Sequence, residues 1–157
     1  MLNRIMTFLQ GDPEEEEIGR KDKVQLAAAA LLFEAARMDE GIGPEERAVI
    51  ADIVRRRFSL SEEEARSLAE AAHKETQGPA QWHRFTSTLK DRFDEAERIE
   101  MIEMLWEVVY ADGHLHDLEA SLLRRVGGLL YVSDRDRGAA RKRVLDRMGL
   151  SDPAPDA

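Results

Sequence analysis

Apolar residues recur along this chain at steps of three and four, the spacing that lines up one face of an α-helix. From Lys21 onward, Val24, Ala28, Leu31, Ala35 and Met38 share such a face. Gly41 and Gly43 interrupt it. Pro44 then suits the first turn of a second helix, where its missing N–H has no partner to lose, and Val49, Ile50, Ile53, Val54 and Phe58 form the stripe. Ser61-Glu62-Glu63-Glu64 reads as a capping box, in which the Ser and Glu64 side chains each satisfy a backbone N–H without a helical partner. Ala65, Leu68, Ala69 and Ala72 follow on a narrow face that permits close helix approach, and Gly78-Pro79 stops the run.

The second part of the chain continues in the same way. Trp82, Phe85, Leu89 and Phe93 make an aromatic stripe; Asp94, with Glu97 three residues on, caps a helix whose inner face is Ile99, Ile102, Leu105, Trp106 and Val109. Leu118, Leu122, Val126 and Leu129 mark another helix. Ser133-Asp134-Arg135-Asp136 opens the last, with Ala140, Val144 and Met148 facing inward. No alternation of the strand type is sustained. The expectation is an all-α, single-domain bundle of about seven helices.

The pattern repeats. Glu107 to Glu119, running through Tyr110-Ala111-Asp112-Gly113, has a twin 73 residues earlier, from Glu34 to Glu46. Glu34 aligns with Glu107, Asp39 with Asp112, Ile42 with Leu115 and Glu46 with Glu119. Leu32 matches Leu105, Phe33 matches Trp106, Val49-Ile50 match Leu122-Leu123, and one register later Leu60-Ser61 match Val132-Ser133. Each half is thus a helix, an Asp corner, a helix, a Ser-capped turn and a third helix, with the aromatic helix between them. Such a duplication favours a pseudo-twofold bundle. Phe33 and Trp106 should both be buried.

The corners carry the candidate chemistry. Glu34, Asp39, Glu46, Glu107, Asp112 and Glu119 are candidate metal ligands, with His114 and His116 as weaker ones. Converging carboxylates repel one another, and a divalent cation would relieve that repulsion. Calcium or magnesium suits oxygen ligands, and zinc becomes a candidate if a histidine joins. The competing account is local. With Gly43 and His116 as N-caps, Glu46 and Glu119 occupy the third helical position, where a carboxylate reaches back to the cap N–H, and Asp39 and Asp112 suit a turn. The corner also matches the second half of an EF-hand loop, but Val108 and Tyr110 stand where oxygen ligands belong, so an EF-hand is rejected. Glu70 and His73 have the spacing of one half of a di-iron site, and the second such pair is missing.

Composition narrows the classes. A net charge of −9 opposes binding to nucleic acid. The absence of cysteine removes disulfides and thiolate chemistry and is compatible with the cytoplasm, the expected location. The Arg55-Arg56-Arg57 run and Arg124-Arg125 are expected partners for the acids before the corners. The late basic group Arg135, Arg137, Arg141, Lys142, Arg143 and Arg147 is expected to be a solvated face, with attraction of an anionic partner as the alternative. No nucleophile triad, phosphate-cradling glycine loop or nucleotide fingerprint is present in the sequence. Residues 1–20 are expected to be an amphipathic segment followed by an acidic linker over residues 10–20, residues 21–150 the helical domain, and residues 151–157 a flexible tail. Residues 1–9 could rest on a membrane surface, although two turns bury little apolar area and Arg4 is their only basic side chain.

The doubled pattern Ala111-Asp112-Gly113-x-Leu115-x-x-x-Glu119 within about 150 helical residues resembles the tellurite-resistance TerB family. The resemblance covers roughly residues 21–149, and the first corner departs from the pattern at Glu40, with Gly41 one place late. It implies an all-helical domain of about seven helices, bacterial, linked to tellurite and general stress resistance, with a suggested metal-binding role for the acidic residues. The expected function is therefore a non-enzymatic binding or scaffold module, divalent-cation-responsive through the corners and acting on protein partners. The alternative is a metal-dependent enzyme using the paired corners, which lacks a recognisable general base and enclosed pocket.

Overall fold

The computed structural model describes the backbone of residues 13–36, 43–77, 82–111 and 117–150, with side chains for these except 13–21, 82 and 117–122. The described residues form helices and no strand: α1 (Pro13–Ala36), α2 (Pro44–Phe58), α3 (Glu62–Glu75), α4 (Trp82–Arg92), α5 (Glu95–Val109), α6 (Asp117–Leu129) and α7 (Asp134–Met148). None of them is long and apolar enough to cross a membrane.

Helix α1 is the hub and packs against α2, α3, α4 and α5. Its sequence explains why: Ala27 to Phe33 are all buried, so no side of the helix in this stretch meets water. Alanine keeps the helix thin and is the best helix former. Against it α3 buries Ala65, Ala69 and Ala72, a small face that lets the two backbones approach. Phe85, Leu89 and Phe93 are buried on and just after α4. The second central helix is α5, buried from Met101 to Glu107 and packed against α1, α2, α6 and α7.

The two halves repeat in three dimensions. In each, the first helix packs on the second and third, and the second on the third; α4 bridges by touching α1 and α6. Phe33 and Trp106 are both buried, as are Leu32 and Leu105, Ile50 and Leu123. The turns match in finer detail. Ser59 (φ 53°) and Tyr131 (φ 58°) are the non-glycine residues with left-handed backbone among those described, and they fall at equivalent places. Each is followed by a bond that closes the helix end: Leu60 N–H to the Arg55 carbonyl at 3.0 Å, and Val132 N–H to the Gly127 carbonyl at 2.8 Å. This is the left-handed helix stop that glycine usually provides. Ser61 and Ser133 then cap α3 and α7, accepting from the N–H groups of Glu64 and Asp136, each at 3.1 Å.

Some elements differ from expectation. Residues 13–20, expected as part of a linker, begin α1. The reason is visible in the chain: Pro13 suits a first helical turn, and Glu14 to Glu17 sit at the positive end of the helix dipole. Met148, expected inside, is 38% exposed. Among the described side chains of α6, Leu123 and Val126 are buried, as are Gly127 and, just past the helix end, Leu130, while Leu129 is half-buried; the side chains of Leu118 and Leu122 lie outside the described residues.

Candidate functional site

The expected corner residues separate into several environments. Asp39, Asp112, His114 and His116 lie outside the described residues, and Glu119 belongs to the first turn of α6 with its side chain outside them. Glu46 closes the start of α2, its carboxylate accepting the Gly43 N–H at 2.9 Å. Glu34 is buried on α1. Glu107, its counterpart on α5, is buried within a group of arginines. Among the described residues no three His, Asp or Glu side chains group closely enough to hold a metal ion.

The arginine group is built by three helices. Glu103 and Glu107 are four residues apart, so they share a face of α5; they are 7% and 6% exposed. The last turn of α2 ends in Arg55, Arg56 and Arg57, where cations complement the negative end of the helix dipole. Arg143 and Arg147, again four apart, share a face of α7. Arg56 and Arg57 donate to Glu107, each at 3.1 Å. Arg147 forks across both carboxylates, at 2.7 Å to Glu103 and 2.7 Å to Glu107. Arg143 approaches Glu103 at 3.4 Å and Arg57 lies 3.6 Å from it. Asp52, on the outer side of α2, accepts from Arg55 at 2.9 Å and Arg56 at 3.0 Å.

Burial by itself would raise the Glu103 carboxyl, but the Arg147 hydrogen bond and the charges of Arg143, Arg147 and Arg57 outweigh it and hold the group below the ordinary carboxylate range. The hydrogen bond from Arg55 likewise lowers Asp52. These acids accept hydrogen bonds from cations, which makes them weak proton acceptors. The guanidiniums are the outward-facing chemistry: Arg56, Arg143 and Arg147 are 48%, 49% and 45% exposed along the side chain.

Beside them runs a cleft of about 730 Å³ between α2, the end of α5 and α7. Val49, Ile53 and Met148 form its apolar wall, and Asp52, Arg56, Glu107 and Arg147 its polar side. A second groove of about 470 Å³ lies on the other side of α2, with Ala51, Ala65 and Ala69 beneath Arg47, Arg66 and Glu70. Behind the arginines, Trp106 stacks on Tyr110 at 5.3 Å. Arg141 lies over both rings and donates to the Tyr110 hydroxyl at 2.8 Å. Among the described residues, the buried Trp106 indole N–H meets no acceptor.

Arg56 and Arg57 were expected to pair with an acid before a corner, and Glu107 is that acid. Arg143 and Arg147 were expected on a solvated face; they close the cluster instead. The signal for them lay in matching periods. Two arginines four apart on α7 face two glutamates four apart on α5, and the repeat pairs those helices just as it pairs α1 with α3.

A comparison with known proteins gives one family. Residues 25–142 match the family model described as Tellurite resistance protein TerB. No curated protein matches the chain, and no solved structure does.

Proposed function

From the premise that this chain belongs to the TerB family, shown by the match over residues 25–142, we propose that it is a non-enzymatic binding module for a protein partner. It would act in tellurite or general stress resistance, in the cytoplasm, with the arginine face of α2 and α7 as its working surface. One observation carries this reading: Glu103 and Glu107 are buried and fix Arg56, Arg57, Arg143 and Arg147 around a cleft. Carboxylates bonded to guanidiniums serve poorly as general bases, whereas fixed guanidiniums serve well as recognition groups.

The test is survival of bacterial cells challenged with tellurite while they express the chain. Arg56→Glu combined with Arg147→Glu should abolish any protection, with circular dichroism confirming a folded protein. Full protection by the folded double variant would overturn the reading.

A divalent-cation response is the second reading. What favours it is the burial of the carboxylate Glu34 just before the first corner. It would use Glu34 with Asp39, Asp112 and Glu119, since Glu46 already caps α2 and Glu107 is held by three arginines. Calcium, magnesium or zinc should then raise the melting temperature, and Asp39→Asn with Asp112→Asn should remove that rise. A flat titration with all three ions would exclude it.

A further inference from the structure

We propose that the cleft between α2, the end of α5 and α7 receives an acidic segment of a partner protein that carries apolar side chains among its carboxylates. The proposal deepens the binding-module reading and rests on it.

Charge complementarity comes first. The cleft itself is lined by Arg56 and Arg147 with Asp52 and Glu107, and the ionic cluster that borders it on α2, α5 and α7 sets Arg55, Arg56, Arg57, Arg143 and Arg147 against Asp52, Glu103 and Glu107, so cations are in surplus on this face. The chain as a whole carries −9. An acidic partner is therefore repelled by most of the surface and steered to this face. Arginine is suited to the task, because its planar fork matches a carboxylate and each guanidinium carries five N–H donors. The buried glutamates hold the forks in place, so less side-chain freedom is lost when a ligand arrives.

The apolar wall sets the second requirement. Val49, Ile53 and Met148 line the cleft beside Arg56 and Arg147. Met148 is one of the large apolar side chains left exposed among the described residues. A bare oxyanion would satisfy the guanidiniums and leave that wall wet. At about 730 Å³ the cleft can hold side chains as well as a carboxylate. Recognition of acidic motifs by arginine clusters is a recurrent mode of peptide binding.

The experiment is a fluorescence-anisotropy titration of the full chain into short fluorescein-labelled peptides in which Asp and Glu alternate with Leu or Phe. Saturable binding is expected, weakening as salt rises, with amide shifts in NMR spectra confined to α2, the end of α5 and α7. Met148→Ser and Arg143→Gln should each weaken binding by about fivefold or more. Neither variant removes the bonds of Arg56, Arg57 or Arg147 to the glutamates, so the framework persists. The proposal is overturned by absence of binding, or by equal binding of a peptide whose Leu and Phe are replaced by Gly. It is also overturned if inorganic phosphate at matched ionic strength displaces the peptide fully, which would mark a plain oxyanion site. Sedimentation showing self-association that the peptide reverses would assign the cleft to a second copy of the chain, again against the proposal. A failed peptide titration removes this inference alone, because the survival assay does not use the peptide.

Discussion

In the first half of the molecule the third helix meets the first through Ala65, Ala69 and Ala72, beside Ala27 to Ala30. In the second half the corresponding pair, α5 and α7, brings together Glu103, Glu107, Arg143, Arg147 and the Trp106–Tyr110 stack under Arg141. The turn register equates Ala69 with Arg141 and Ala65 with Arg137. The same helix arrangement therefore tolerates two opposite contacts, one of small apolar groups and one of paired ions. The repeated fold supplies two equivalent places; one holds small apolar side chains and the other paired charges. The candidate site is single although the architecture is double.

The largest test of that comparison concerns the shared core. Phe33→Ala and Trp106→Ala should each destabilise the protein by about 3–5 kcal/mol, measured by equilibrium denaturation. A loss below about 1 kcal/mol at either position would break the equivalence of the halves.

The next effect is confined to the ionic half. Glu103 is held below its ordinary value in the folded protein, so its contribution is present above the unfolded value, about 4.3, and disappears as pH falls through the folded value. Glu103→Gln should cost about 1–2 kcal/mol at neutral pH, the lower part of the range for charged hydrogen bonds because Arg143 and Arg147 are half-exposed. The variant and the parent should converge in acid. Urea midpoints that stay equally far apart at pH 3 and pH 7 would show that the cluster does not contribute through ionisation.

The smallest effect returns to what the halves share. Ser61→Ala and Ser133→Ala should each cost about 1 kcal/mol, and nearly the same amount. Thermal denaturation of the two variants side by side checks this; a clear inequality would mean that the matched turns carry different loads.

Much of this plan was legible beforehand. Helical period placed Ile50, Leu105 and Trp106 inside, and the Ser and Asp caps placed the starts of α3, α5 and α7, because both signals are local and survive without knowledge of neighbours; Phe33 followed from its equivalence to Trp106 in the repeat. The arginine cluster was legible only in part. Arg56 and Arg57 are part of a run of three arginines in the last turn of α2, and so conspicuous a run let the acids before the corners be named as partners. Arg143 and Arg147 required knowing which side of α7 meets α5, and a charged stripe facing buried glutamates looks the same in one dimension as a stripe facing water. Met148 failed for the related reason that a terminal position on an apolar stripe has no neighbour to cover it. The α1 start is hidden in the sequence because four glutamates in a row suggest repulsion, while at a helix N-terminus the dipole offsets it. The match over residues 25–142 agrees with the family suggested by the doubled corner.

The alanines of α1 bear on how a family such as this is to be compared across species. Ala28, Ala29 and Ala30 are completely buried, in a helix with neighbours on several sides. A larger side chain there has no free direction to grow, and overpacking of that kind costs about 1–3 kcal/mol. Invariance at these positions among relatives would record a shortage of space and would say nothing about ligands. Invariance at Arg143 or Met148, where the surface is open and substitution is sterically free, would carry the opposite meaning. The hub and the cleft thus give the same statistic two different physical contents.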